Sequence, residues 1–160
     1  MGISSIKSIF QLETYKMDNI KFSVDQSLNV LAQGSGIFLN ENDFSLALRN
    51  PFRFKDDKKT FYVSGVRITL KLRNKKEEEI ANGSFEISGL FSAKGFKDLQ
   101  IEEKLAKYQA PTILLPYIRA CITSVLANAG FGSIILPLIN MNIVANSMDL
   151  KIEDKGAATK

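Results

Sequence analysis

The spacing of apolar residues changes once along this chain, and that change limits what the chain can fold into. Up to about residue 95, apolar side chains recur mostly at every second position, as in strands with one buried face. From residue 97 onward they recur with helical spacing. Strands followed by helices are typical of an α+β fold, with helices packed on one side of an antiparallel sheet. We predict strands mainly in 1–96, helices mainly in 97–152, and a polar tail at 153–160.

Four strands are predicted, and the third, from Lys59 to Arg73, has the clearest alternation. Its charged positions, Arg67, Lys71 and Arg73, are expected to face water or a partner. By strict alternation, Phe61 and Val63 would lie on the same face as these charged residues. We therefore expect a bulge at Gly65 that turns both side chains back toward the core. The other strands are Ser8 to Val24, Phe44 to Phe54 with a bend or bulge at Asn50-Pro51, and a fourth that carries Phe85, Ile87, Gly89, Phe91 and Ala93.

Two connections between the strands need comment. The third and fourth strands can be joined by the charged loop 74–78 or by Asn82-Gly83, the stronger hairpin dipeptide. We favour the charged loop, with Asn82-Gly83 as a bulge inside the fourth strand. The connection 25–42, between the first and second strands, is unusually apolar for a loop of its length. It must either pack on something or bind something.

Helix boundaries are predicted from capping residues and prolines. Asp98 can cap a short helix that runs through Tyr108. Pro111 suits the first turn of a longer helix, where its missing N–H costs nothing, and Pro116 should bend that helix slightly. Gly130 and Gly132 end the long helix, Asn140 caps a last one, and Met141, Val144, Ala145 and Met148 share a face of it.

The composition fits one globular domain spanning 1–160, with 45% hydrophobic and 24% charged residues. We find neither a secretory leader nor an uninterrupted apolar stretch of about 20 residues, so we expect a cytoplasmic protein without membrane insertion. The net charge of +4 is spread over clusters of mixed sign. No nucleic-acid partner is expected from such clusters, although a basic nucleic-acid-binding module is kept as the alternative function.

Residues for catalysis are missing from the sequence. There is no histidine, and Cys121 is the only cysteine, in a helical position that fits an inert buried thiol. Neighbouring carboxylates, such as Glu102 and Glu103 on a helix, point in different directions and are expected to be solvated. We therefore expect no enzyme activity, no metal site and no cofactor.

Residues 108–123 read YQAPTILLPYIRACIT, with two prolines at a fixed offset ahead of a Tyr-x-Arg. This segment resembles the signature helix of the SecB family. Asn19-Ile20-Lys21-Phe22 and Gly89-Leu90-Phe91-Ser92 resemble the family's Asp-Ile-x-Phe and Gly-Ile-Phe-Ser motifs, in the family's order. The helix positions that match are Pro111, Ile113, Leu114, Pro116, Tyr117, Arg119, Ile122 and Thr123.

The resemblance implies a four-stranded antiparallel sheet, and a homotetramer built as a dimer of dimers around the long helix. Pro111, Tyr117 and Arg119 would then serve helix shape and subunit packing. It also implies an apolar groove that holds unfolded polypeptide clients without ATP. The implied groove residues are Leu28, Val30, Leu31, Ile37, Phe38, Leu39, Met141, Val144 and Met148. The competing interpretation is that these residues only cover the core.

The chain departs from the family at the surface that docks the translocase motor. Export chaperones of this family are acidic and present acids to a basic tail of that motor, whereas Asn19 and Ser23 hold two of those positions here. Without those charges we expect weak motor binding. Two roles stay open: holding a dedicated client such as an antitoxin, and delivery of clients to the export machinery.

Overall fold

The computed structural model describes residues 9–26, 36–94 and 98–155. Four long antiparallel strands and a short fifth strand form one sheet in the order β1-β4-β3-β2-β5, and β5 runs parallel to β2. The predicted α+β class is confirmed, but the sheet has five strands and is mixed rather than four-stranded and antiparallel. The strands are β1 (Phe10–Val24), β2 (Phe44–Asp56), β3 (Lys59–Arg73), β4 (Glu79–Ala93) and β5 (Glu153–Asp154).

The helices begin at Asp98, whose side chain accepts the backbone N–H of Gln100 at 2.9 Å. Asn140 likewise accepts the N–H groups of Asn142 and Ile143, at 3.1 and 3.3 Å, so both predicted caps are confirmed. The predicted break after Tyr108 is wrong, because helical structure continues from 99 to 128. The helical elements are α1 (Leu99–Lys104), a π-turn (Leu105–Gln109), α2 (Ala110–Asn128) and α3 (Met141–Met148).

The π-turn explains how the helix continues through Pro111. Ala110 donates its backbone N–H to the carbonyl of Leu105, five residues back instead of four. The wider turn precedes a proline that has no N–H to give and whose ring would press on the carbonyl one α-turn earlier. Thr112 donates its hydroxyl to the carbonyl of Tyr108, one turn back, at 2.8 Å.

The two faces of the sheet differ in burial, as the alternation of side chains along β3 shows. Its even-numbered residues from Tyr62 to Leu72 face the helices, and we call this the helix face; the odd-numbered ones form the outer face. The bulge expected at Gly65 is absent, because β3 and β4 stay in register from Thr60 to Leu72. Phe61 therefore stays on the outer face, where its ring stacks on that of Phe54 with centroids 5.3 Å apart.

The remaining irregularities are partly those predicted. The pairing of β2 with β3 shifts between Arg49 and Phe52, which confirms the irregularity at Asn50-Pro51. The charged loop does join β3 to β4, but Asn82-Gly83 pairs regularly, and the shift lies instead at the end of β3, between Leu72 and Arg73.

The core lies between the helix face and one stripe of α2. The stripe recurs every fourth residue, and α2 packs along β4, β3 and β1. Gly89 of β4 lies under it, since a Cβ there would come within 2.6 Å of Leu114 Cδ2. The helical run Leu99–Asn128 is long and apolar enough to cross a membrane by length and composition, yet this packing accounts for its apolar stripe. The fully buried α2 residues are Ala110, Leu114, Ile118, Ile122 and Leu126.

A polar cluster around Arg53 joins distant parts of the chain. Arg53 donates to Glu103 at 2.9 Å and, through Nε and Nη2, to both carboxylate oxygens of Asp154 at 2.6 and 2.9 Å. Tyr62 donates its hydroxyl to Glu102, and burial raises the pKa of that phenol above its ordinary value. Glu102 is thus buried and bonded, so the expectation that both glutamates are solvated is wrong. The cluster fixes β5 and α1 to the end of the sheet.

The attachment of β5 is expected to weaken in acid. Hydrogen bonds from Arg53 hold the pKa of the Asp154 carboxyl below its ordinary value. The pKa of Asp154 is lower in the folded protein than in the unfolded chain, where it is about 4. The contact with Arg53 therefore stabilises the folded state fully above that pH, and the stabilisation is lost as the pH falls through the folded-state pKa. We expect the Lys155 amide, which donates to the Arg53 carbonyl at 2.8 Å, to lose hydrogen-exchange protection in that acid range. Asp154→Asn should lower its protection at neutral pH and remove the pH dependence. An equal acid loss in both proteins would contradict this assignment.

Candidate functional site

An extended segment between α2 and α3, residues 134–140, presents apolar side chains outward. Arg119 of α2 fixes it by donating to the backbone carbonyls of Leu136, at 3.2 Å, and of Pro137. Leu136 is buried, whereas Ile135 and Leu138 are 88% and 96% exposed. The family arginine thus has a role within the chain, because it holds this backbone so that two large apolar side chains point away from the core.

An open cleft of about 530 Å³ lies where this segment meets α2 and the start of α3. Ile143, on the first turn of α3, is 66% exposed. We call the cleft with Leu138 and Ile143 the α2–α3 site. Sequence reasoning missed Ile135, Leu138 and Ile143. The apolar character of Ile135 and Leu138 in a segment between two helices was a usable signal. The cleft is lined by Thr112, Leu115, Leu138, Ile139, Asn140, Met141 and Asn142.

The predicted face of α3 packs inward. Met141 is only 4% exposed, and Val144 and Met148 are half-buried. The Met148 sulfur accepts the backbone N–H of Leu48 at 3.2 Å, which joins α3 to the edge of β2. Met141 therefore lies at the base of the α2–α3 site, and Met148 lies between α3 and β2.

The link between β1 and β2 is described from residue 36 onward, so Leu28, Val30 and Leu31 lie outside the described residues. Ile37 and Leu39 are half-buried and pack against the core. Phe38 pairs with Arg73 through backbone hydrogen bonds of 2.9 and 3.0 Å. Because neighbouring residues of extended backbone alternate, Phe38 points to the opposite side from Ile37 and Leu39.

The family helix motif divides into a buried and an exposed half. Pro111, Leu114 and Ile122 are buried, Ile113 and Arg119 are half-buried, and Pro116, Tyr117 and Thr123 are exposed. Tyr117 is 40% exposed and its ring centroid lies 4.4 Å from that of Tyr15 on β1. The structure thus pairs it with a residue that sequence reasoning did not single out.

Asn19 and Ser23 lie on β1 at the edge of the sheet. Asn19 is half-buried and donates its amide to the carbonyl of Ser84 at 3.4 Å, and Ser23 is exposed. Both side chains are uncharged, and the residue between them on the outer face is Lys21.

The described residues offer little for metal binding or nucleophilic chemistry. Within 9–26, 36–94 and 98–155, no three His, Cys, Asp or Glu side chains are grouped to hold a metal ion. Cys121 is half-buried, and burial raises the pKa of its thiol above the ordinary value. A raised pKa lowers the thiolate fraction at neutral pH.

Comparison with known proteins decides the family. The family model described as preprotein translocase subunit SecB matches residues 19–148. The chain belongs to the SecB family. It is 28% identical over 137 residues to the protein-export protein SecB of Thioalkalivibrio sulfidiphilus, covering 85% of this chain and 76% of that protein. It is 29% identical over 123 residues to the corresponding protein of Saccharophagus degradans, covering 76% and 71%.

A solved structure of the SecB fold also matches. It is the SecB-like chaperone of Mycobacterium tuberculosis in complex with a ChAD peptide from the HigA1 antitoxin. The TM-score is 0.54 at 20% identity, covering 82% of this chain and 91% of that one. The SecB-like α+β fold is thereby confirmed, although the sheet of this chain has five strands and is mixed. Membership of the SecB family supports a chaperone role.

Proposed function

We propose that this SecB-family protein is a cytoplasmic, ATP-independent holding chaperone that binds unfolded or partly folded polypeptide in extended form. The observation that carries the proposal is the exposure of Leu138, which lines an open cleft, and of Ile135 and Ile143 nearby in the chain. Binding that covers such exposed apolar side chains is favourable, because it removes apolar surface from water. An unfolded chain offers the apolar side chains to do so.

The size and character of this interaction suit a holding chaperone. Covering one large aliphatic side chain contributes about 1.5–3 kcal/mol, so two or three such contacts give useful but reversible affinity. Apolar burial has no directional requirement, so clients of different sequence can use the same surface. Half-buried Val144 and Met148 extend it toward β2, and a thioether adapts readily to different neighbours.

We propose that the groove continues from the α2–α3 site along α3 and the β1–β2 link. Met141 forms its base, Val144 and Met148 form one wall, and Ile37 and Leu39 lie on the helix-face side of the link. Leu28, Val30 and Leu31 complete the link in this proposal, and Phe38 contributes only if its backbone pairing with Arg73 is released.

Two classes of client fit the groove. One is a dedicated client such as an antitoxin, as in the mycobacterial complex; the other is an export substrate, as the names of the bacterial relatives suggest. Uncharged Asn19 and Ser23, with Lys21 between them, favour the first, because a basic motor tail would meet no attraction there.

We also propose a homotetramer, and Tyr117→Ala tests it. Tyr117 and Tyr15 are exposed in the single chain, and β1, which carries Tyr15, is an edge strand of the sheet that the described residues form. Light scattering of the wild type at micromolar concentration is expected to give a tetramer. The variant should dissociate at a protein concentration higher by up to roughly tenfold, as expected for a lost aromatic contact. Ser124→Ala, an exposed position on the same helix, is the matched control, and a monomeric wild type would contradict the proposal.

The holding activity is tested by adding the protein to an unrelated polypeptide diluted from denaturant. We expect suppressed light scattering from aggregates at stoichiometric amounts, without nucleotide and unchanged by added ATP. A client that aggregates equally fast with and without the protein would overturn the proposed function.

A further inference from the structure

The outer face of the sheet, opposite the helices, carries an excess of basic side chains, although the charged clusters of the sequence are of mixed sign. Lys16 and Lys21 of β1, Arg49 of β2, and Arg67 and Lys71 of β3 all project from it. The acids on the same face are Asp18, Glu86 and, toward one end of the sheet, Glu13. Basic side chains thus outnumber acidic ones across the centre of this face.

The ion pairs on this face leave positive charge uncompensated. Glu86 pairs with Arg67, and Asp18 pairs with Lys16 at 3.3 Å and with Arg49 at 3.7 Å. Asp18 also accepts the hydroxyl of Ser88, which fixes its carboxylate to β4. Lys21 and Lys71 are exposed and have no ion pair with any residue in the described parts of the chain.

A shallow depression of about 210 Å³ lies between the two arginines. It exists because Gly65, which pairs with Arg49, and Ala47, which pairs with Arg67, put almost no side chain on the outer face. Arg49 lies along its floor, with Nε 3.3 Å from where a Cβ of Gly65 would be. Arg67 and Glu86 form its other side. A carboxylate placed there would lie between two guanidinium groups and would compete with Glu86 for Arg67.

We propose that this outer face docks an acidic polypeptide segment, with one carboxylate between Arg49 and Arg67 and others against Lys21 and Lys71. The basic excess attracts such a segment, and arginine presents a planar fork that matches a carboxylate. The contacts are exposed, so binding is moderate and falls with salt. This docking site is separate from the client groove, which lies on the other side of the sheet.

A nucleic acid fits the same face less well. Asp18 and Glu86 stand among the basic groups and would repel an unbroken line of phosphates. Single-stranded nucleic acids also use exposed aromatic rings for base stacking, whereas Phe54 and Phe61 on this face stack on each other and are half-buried. An acidic peptide can place an uncharged residue beside Asp18, and it brings only one carboxylate near Glu86, where Arg49 and Arg67 offset the repulsion.

The first experiment measures binding of a fluorescent, glutamate-rich peptide without apolar residues by anisotropy at low salt. The triple change Arg49→Gln, Arg67→Gln and Lys71→Gln should weaken binding about tenfold, as expected for the loss of three exposed charge contacts. The matched control removes the same charge from exposed lysines elsewhere; its substitutions are Lys55→Gln, Lys58→Gln and Lys75→Gln. A control that weakens binding as much as the test variant would overturn the proposal.

The second experiment locates the peptide and separates the alternatives. Carbodiimide coupling should join its carboxylates to Lys16, Lys21 and Lys71, and adducts spread evenly over surface lysines would overturn the docking site. A single-stranded oligonucleotide of equal charge that binds more tightly than the peptide would assign the face to nucleic acid instead. The triple variant should suppress client aggregation like wild type, so loss of peptide docking and loss of holding are separate results.

Discussion

Replacing Leu138 and Ile143 by aspartate is expected to abolish the holding of unfolded clients while the fold is retained. Each substitution removes an apolar contact worth about 1.5–3 kcal/mol and places a charge where the client must bury its own side chains. Together they should weaken client binding by roughly a hundredfold or more. Both side chains are exposed, so the free energy of unfolding should change by less than about 0.5 kcal/mol for each.

The measurement is suppression of client aggregation as a function of chaperone concentration, with circular dichroism and light scattering to verify fold and assembly. Leu99→Asp with Ile101→Asp is the matched control, because both residues are exposed and apolar but lie on α1, outside the residues that line the cleft. A correctly folded Leu138/Ile143 variant that still holds its client would remove the α2–α3 site from the proposed groove.

The second large effect concerns the contact between α2 and the sheet, where Leu114 packs over Gly89. Leu114→Ala should destabilise the protein by about 2–5 kcal/mol, since it leaves a cavity in a fully buried position. Gly89→Ala should also destabilise, by about 1–3 kcal/mol, because its Cβ would lie 2.6 Å from Leu114 Cδ2 and 2.9 Å from Phe91 Cε2.

The double variant tests whether these two residues meet as described. With Leu114 shortened, the added Cβ at Gly89 occupies part of the vacated space, so the combined loss should be smaller than the sum of the single losses. Urea unfolding at one fixed protein concentration provides the free energies, since assembly would make them concentration-dependent. Strict additivity would show that the clash is relieved elsewhere.

The long strands could be predicted because alternation over a dozen or more residues has no helical counterpart. The error at Gly65 arose from assuming that aromatic residues must face the core. Phe61 instead finds Phe54 on the neighbouring strand, and the two rings shield each other on the outer face. β5 could not be predicted, since two residues have no periodicity and Arg53, which holds Asp154, is 101 residues away in sequence.

The candidate site, like the fold, could be predicted from the sequence only in part. Helical spacing identified the apolar face of α3, and that face is the one that packs inward, so spacing alone could not show what stays exposed. The exposure of Ile135 and Leu138 depends on the hydrogen bonds from Arg119 to the backbone beside them. Such a tertiary constraint leaves no local pattern.

The π-turn before Pro111 affects how related sequences should be aligned along this helix. An α-helix turns about 100° per residue, so one residue added or lost within α2 would rotate every later side chain away from the sheet. A π-turn already contains one residue more than an α-turn. Chains that lack a residue within 105–109 can close an ordinary turn there, and Glu102 and Leu114 would keep their directions. A one-residue gap in an alignment of this helix therefore belongs at the π-turn, ahead of the proline, and not inside α2.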